Sequence, residues 1–287
     1  MTVTAAMVKE LREKTGAGFM DSKKALEQCD GDMEKAMEFL RQKGIASAEK
    51  KQNRIAAEGL VATYIENGVG AIVEVNCETD FVAKNEEFKE FVSGLAKHIV
   101  SIQPKDMDAL NASVCPKCNM KIEDVVKNKI ATIGEKISIR RFEIVKGELA
   151  TYVHNGRIGV IIESTASAPE LLQDVALHIV ASAPEFVSRN QIPQDVIDEE
   201  TRIEMGKEDL QKKPENIRAK IVEGRVNKLM AQKCLLEQPF VKNPDMTIEQ
   251  LLGGKTEIKS FIRWTLGEGL EKRQDNFAEE VMSQMVK

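Results

Sequence analysis

Glu58-Gly59-Leu60-Val61-Ala62-Thr63-Tyr64-Ile65-Glu66-Asn67-Gly68 and Lys146-Gly147-Glu148-Leu149-Ala150-Thr151-Tyr152-Val153-His154-Asn155-Gly156 are two copies of one pattern within a chain of 287 residues. Each ends in Asn-Gly, the strongest short hairpin signal. Each resumes as an apolar strand, Gly70-Ala71-Ile72-Val73-Glu74 in one copy and Gly159-Val160-Ile161-Ile162-Glu163 in the other. Further on, Leu95-Ala96-Lys97-His98-Ile99-Val100 matches Val175-Ala176-Leu177-His178-Ile179-Val180, and Pro104 matches Pro184. A third strand fits after each helix, over 137–145 and 258–266, which makes Arg141-Phe142 and Arg263-Trp264 equivalent. The repeat predicts a β-hairpin, a helical section and a returning strand, used twice. This is an α+β fold in which helices cover one face of an antiparallel sheet.

The copies differ at one place. The first has 20 residues between Glu74 and Leu95, and the second has 11 between Glu163 and Val175. The nine extra residues are expected to fall on Thr79-Asp80-Phe81-Val82, within the polar connection Asn76-Cys77-Glu78-Thr79-Asp80-Phe81-Val82-Ala83-Lys84-Asn85. A scaffold duplicated once and decorated in one copy points to the decoration as the functional part. Such loops on a rigid scaffold are where recognition tends to sit. On the residues alone, Phe81 either inserts into a partner or anchors its loop onto the chain's own core.

Outward from the repeat, the first fifty residues read as three short helices. Thr4 caps the first, which ends near Gly16, and Asp21 caps the second. Gly31 breaks that helix, Asp32 caps the third, and Met33, Ala36, Met37 and Leu40 share one face before Gly44. A basic connection with Lys50, Lys51 and Arg54 follows. Between the second repeat's helix and its last strand, Ile203, Leu210, Ile217, Ile221 and Leu229 supply a sparse apolar seam. With a reversal at Lys212-Lys213-Pro214-Glu215, this reads as a projecting antiparallel helical hairpin. Phe277, Val281 and Met285 predict a short amphipathic helix at the end. The resulting domains are a helical module at 1–52, a core subdomain at 53–145 and a second one at 146–187 with 236–270. The hairpin insertion occupies 188–235 and the terminal helix 271–287.

Composition narrows the function classes. One Trp, two Tyr and 30% charged residues favour well-solvated helix-rich modules over one large enzyme core. A net charge of −5 gives no electrostatic case for nucleic acid. No apolar run is long enough for a membrane span, and the first residues lack a signal-peptide pattern, so a soluble cytoplasmic protein is expected. Five scattered cysteines make no disulfide framework.

Two stretches resemble the signatures of the bacterial translation elongation factor Ts family. They are Leu11-Arg12-Glu13-Lys14-Thr15-Gly16-Ala17-Gly18-Phe19-Met20-Asp21-Ser22-Lys23-Lys24-Ala25-Leu26 and the 76–85 segment above. The resemblance implies a guanine-nucleotide exchange factor for the GTPase elongation factor Tu, with no catalytic residue, metal or cofactor of its own. It implies a helical N-terminal module similar to ubiquitin-associated domains, touching the GTPase through Arg12, Phe19, Met20 and Lys23. Asp80 and Phe81, flanked by Thr79 and Val82, match the residues that intrude beside the bound nucleotide. The hairpin and the second repeat, with His154 on its turn, are expected to reach other parts of the GTPase or a second copy of the factor. A homodimer and a 2:2 complex with the GTPase are both compatible with that.

The chain departs from the family pattern at Ser22, where Cys is frequent, and in Cys115-Pro116-Lys117-Cys118. One CxxC without a second pair, and with three distant His, reads as two partly exposed thiols in a variable connection. His98 and His178 occupy matching places in the repeated helix, which points to packing. Gly16 and Gly18 have no preceding strand and no following Gly-Lys-Ser, so they mark a turn and not a phosphate loop.

Overall fold

A computed structural model describes residues 3–211 and 213–271. The terminal helix expected over 271–287, with Phe277, Val281 and Met285, lies outside the described residues apart from its first position, as does Lys212 of the reversal. Among the described residues, no helix is long and apolar enough to cross a membrane.

The chain opens with α1 (Ala5–Thr15), α2 (Phe19–Gln28) and α3 (Met33–Lys51). Thr4 caps α1 through its hydroxyl, and Asp32 caps α3 by accepting from the Glu34 and Lys35 amides. Asp21 does not cap α2. The N-cap is Gly18, and the Asp21 carboxylate pairs with Lys43 at 2.6 Å. Val8, Leu11, Ala25, Leu26 and Ala36 form the shared core, with Met33, Met37 and Leu40 against it. Nor does α3 stop at Gly44. A Cβ there would lie 3.3 Å from the Ala131 methyl, so the missing side chain lets α3 pack closely against a later helix and run on to Lys51.

Next come β1 (Glu58–Glu66), β2 (Val69–Cys77), α4 (Asp80–Lys84), α5 (Glu86–Ile102), α6 (Met107–Ala112), α7 (Ile122–Ile133) and β3 (Ser138–Lys146). The second copy follows as β4 (Glu148–His154), β5 (Ile158–Ser164) and α8 (Pro169–Ser182). Then come α9 (Gln194–Met205), α10 (Glu208–Gln211), α11 (Glu215–Lys233), β6 (Pro239–Phe240), β7 (Asn243–Thr247), α12 (Ile248–Leu252) and β8 (Ile258–Thr265). The sheets run β1-β2-β3 and β4-β5-β8, so each copy is a hairpin joined by a returning strand, as the repeat predicts. β4 and β5 are antiparallel, from Glu148 opposite Ser164 to His154 opposite Ile158.

The duplication extends to backbone detail. Asn67 and Gly68 have φ of 51° and 72°, and Asn155 and Gly156 have 52° and 69°, the left-handed pair that a type I′ turn demands. Gly59 and Gly147 share φ near 137° (136° and 137°). The helix ends Gln103 and Ala183 share φ of 45°, each just before the matched Pro. One equivalence fails. Glu74 meets Arg140 and Arg141, whereas its counterpart Glu163 meets Lys259 and Ser260. Arg263 donates to the Val180 carbonyl instead, so it does not take the place of Arg141.

By compactness the chain divides into two units: residues 3–62, 73–143 and 265–271, and residues 63–72 and 144–264. In the first, α5 buries Phe88, Val92, Leu95 and Ile99. Glu74 is fully buried and bound by Arg140 at 2.9 Å, Arg141 at 2.7 Å and the Gly267 amide at 2.8 Å. In the second, α8 covers β4 and β5 with Leu172, Val175, Ala176 and Ile179, joined by Leu235, Phe240 and Ile248. α9 and α11 pair antiparallel: Ile192 and Val196 cluster with Met230 and Cys234, while Glu204 near the other end meets Arg225 at 3.4 Å. Leu210, Ile221 and Leu229 join this seam as expected, but Ile203 and Ile217 are exposed. The inward place beside Ile203 is taken by Glu204, buried and ion-paired with Arg225 and Lys207, which turns Ile203 outward.

The matched histidines pack. His98 Nε2 lies 2.8 Å from Ser113 Oγ, and His178 Nε2 lies 2.8 Å from Gln238 Oε1. Because the Val241 amide donates to His178 Nδ1 at 3.2 Å, the ring is neutral with its proton on Nε2. Burial holds the pKa of both imidazoles below the usual range.

Candidate functional site

The 79–82 segment is not an open loop. Thr79 is a helix N-cap whose Oγ1 accepts from the Val82 amide at 3.4 Å, and Asp80–Lys84 close into the short helix α4. Asp80 and Lys84 then stand one turn apart and pair at 2.6 Å. The Lys84 hydrogen bond holds the Asp80 carboxyl below the ordinary carboxylate range, so Asp80 is an anion at neutral pH. Asn85 ends α4 and caps α5 by accepting from the Glu87 amide at 2.8 Å. Part of the extra length of the first copy lengthens α5, 17 residues against 14 in α8, and most of the rest is α4, of five residues. The second copy passes from β5 to α8 through 165–168 with no helix between.

What fixes α4 comes from far along the chain. Glu135 Oε1 accepts the Thr79 hydroxyl at 2.6 Å, and its Oε2 accepts the Glu78 and Thr79 amides at 3.1 and 3.0 Å. In return, Glu78 Oε1 accepts the Lys136 amide at 2.6 Å and meets Arg54 at 3.3 Å. The Cys77 thiol donates to the Thr79 carbonyl at 3.2 Å, and burial pushes its pKa up to about 12, so it is an inert buried group. From this clamped base Phe81 stands 80% exposed, the most exposed of the large apolar side chains among the described residues. Leaving a Phe in water forfeits roughly 1.5–3 kcal/mol of burial. The clamped mount thus holds one large apolar side chain out in solvent. The alternative, Phe81 as an anchor in the chain's own core, does not match this exposure.

Around the corner between α1 and α2, Arg12 and Lys23 are exposed, as are Phe19 (50%) and Met20 (59%). Lys23 stands 3.7 Å from Glu27. Gly16, at φ 69°, closes α1 on the Arg12 carbonyl and permits the tight turn that brings these four residues to one corner. His154 belongs to the second unit, exposed at the β4–β5 turn with Tyr152 Oη 3.2 Å from its Nδ1. Thus the sites expected from sequence fall into three groups: Thr79 to Val82, the α1–α2 corner, and His154. The sequence assigns no site role to Glu135, Glu78, Arg54 or Lys136, which hold the first group. For Glu135 and Lys136 the signal is their place directly after Gly134, which ends α7.

Among the described residues no cluster of three or more His, Cys, Asp or Glu could hold a metal ion. The chain is a duplicated α+β scaffold that clamps one short helix bearing an exposed aromatic. The stretch 78–268 matches the family described as Elongation factor TS, and the chain belongs to that family. Membership makes it a factor of translation elongation and protein biosynthesis, a guanine-nucleotide exchange factor whose family partner is elongation factor Tu.

Proposed function

We propose that the chain releases GDP from elongation factor Tu by inserting Phe81 beside the nucleotide's phosphates, with Asp80 acting on the Mg²⁺ site at its edge. The carrying observation is the fully displayed Phe81 on a base clamped by Glu135. GDP is held by a phosphate cradle and a Mg²⁺ that bridges phosphate oxygens to the protein. An apolar wedge parts side chains that support the cradle, and an anionic carboxylate competes for the groups that keep the Mg²⁺ site formed. The factor acts by binding and carries out no chemical step. Because coupling between sites is reciprocal, a factor that weakens nucleotide binding is itself displaced when GTP binds.

In the same reading the helical module, residues 1–52, docks on the GTPase's nucleotide domain through Arg12, Phe19, Met20 and Lys23. His154 and the α9–α11 hairpin, with Ile203, Met205 and Ile217 exposed, meet other parts of the GTPase or a second factor. The setting is the cytoplasm, where translation takes place. The test follows release of a fluorescent GDP analogue from elongation factor Tu with wild type, Phe81→Ala and Asp80→Ala. Both variants are expected to slow release with modest loss of affinity, and unchanged release by both would sink the wedge.

A further inference from the structure

Between α6 and α7 the chain makes a small hairpin whose thiols play no part in the exchange reading. Val114 and Lys121 form an isolated antiparallel bridge, and the Cys115 amide donates to the Met120 carbonyl at 2.8 Å. The Asn119 amide donates to the Cys115 carbonyl at 2.9 Å, wrapping Cys115-Pro116-Lys117-Cys118 into a single turn. Asn119 takes φ of 52°, a left-handed position that Asn tolerates better than most residues. The turn closes on the two cysteines, which stand three residues apart within it. Cys118 is exposed and Cys115 half-buried, whereas Cys77 and Cys234 are buried.

We propose that Cys115 and Cys118 form a reversible dithiol–disulfide couple, oxidised by low-molecular-weight disulfides. Burial opposes ionisation of Cys115, but the amides of Cys118 and Lys117, the Cys118 thiol and the Lys117 ammonium outweigh it and lower its pKa. Burial and the neighbouring Cys115 raise that of Cys118. The exposed Cys118 and the half-buried Cys115 can each attack, with the other resolving. The attacking thiolate adds to one sulfur of the small disulfide, whose S–S bond breaks and releases one thiolate, which takes up a proton. The other cysteine then loses its proton, attacks the protein sulfur of that mixed disulfide and expels the second thiol. The protein gives up two electrons and two protons, and the small disulfide becomes two thiols.

A metal site is the competing use of paired thiols, and no third ligand joins them among the described residues. The experiment equilibrates the full-length protein in graded mixtures of oxidised and reduced glutathione. Acid quenching, alkylation of free thiols and peptide mapping follow. The peptide holding Cys115 and Cys118 should pass from doubly alkylated to internally bridged and return on adding dithiothreitol, while Cys77 and Cys234 stay alkylated. Cys118→Ser and Cys115→Ser should each stop at a mixed disulfide on the remaining cysteine. Two thiols that stay free or carry separate glutathione adducts throughout would overturn the couple. So would stoichiometric zinc in the purified protein that Cys115→Ser releases.

Discussion

Glu135 accepts the hydroxyl of Thr79 at 2.6 Å across 56 residues of chain, and that one carboxylate also takes two amides at the base of the Phe81 helix. Three bonds to a charged acceptor at a half-buried site are a strong local constraint. Glu135→Ala is therefore expected to cost about 2 kcal/mol of stability and to slow stimulated GDP release. Phe81→Ala should slow release as well, yet shift stability by less than about 0.5 kcal/mol, since the side chain touches little of its own protein. Urea unfolding beside fluorescent GDP release separates the two. Equal loss of stability in both variants would mean that Phe81 packs at home.

Glu74 predicts an acid-sensitive core. Burial would raise its pKa, but the Gly267 amide, Arg140 and Arg141 more than offset this and hold it below the ordinary 4.5. A depressed carboxylate contributes stability that is full above about pH 4.5 and is lost as pH falls through the folded-state pKa. Glu74→Gln should cost about 3 kcal/mol at pH 7 by leaving two guanidinium groups without their buried partner. The gap between variant and wild type should narrow below pH 4.5, where Glu74 itself takes up a proton. A gap independent of pH between 7 and 3 would contradict this.

Ser22 is fully buried in the α1–α3 core, and its hydroxyl has no partner among the described residues. The family often has Cys at this place, and the structure supplies a reason: the site wants a small group that asks for no strong hydrogen bond. Ser22→Cys and Ser22→Ala should each raise stability by about 1 kcal/mol, read as a higher thermal midpoint. A lower midpoint for both would point to a hydroxyl contact in the folded protein.

The two repeat glycines should respond unequally to one methyl group. At Gly59 a Cβ would lie 2.1 Å from the Val75 carbonyl oxygen, which is backbone and cannot yield. At Gly147 the nearest atom is the movable Glu163 carboxylate at 3.3 Å, so mainly the φ of 137° penalises a side chain. Gly59→Ala is expected to cost about 3 kcal/mol or more and Gly147→Ala about 1–2 kcal/mol. Urea midpoints of the two variants check the order.

By itself the chain determined the elements whose information is local. The Asn-Gly turns, the paired apolar strands and the Thr4 and Asp32 caps each depend on neighbours a few residues away. Duplication supplied a second reading of each. Tertiary structure decided what depends on distant groups. The Thr79 segment became a helix because Glu135 could reach its base, and α3 outran Gly44 because Ala131 stood where a side chain would have been. Ile203 turned outward because Arg225 claimed Glu204, and Arg263 lost its match to Arg141 because Glu163 found Lys259. An ion pair or a close approach between residues far apart leaves no periodic trace in sequence. Phe81 could be found by reading, but the rigidity that presents it could be seen only once the chain had folded.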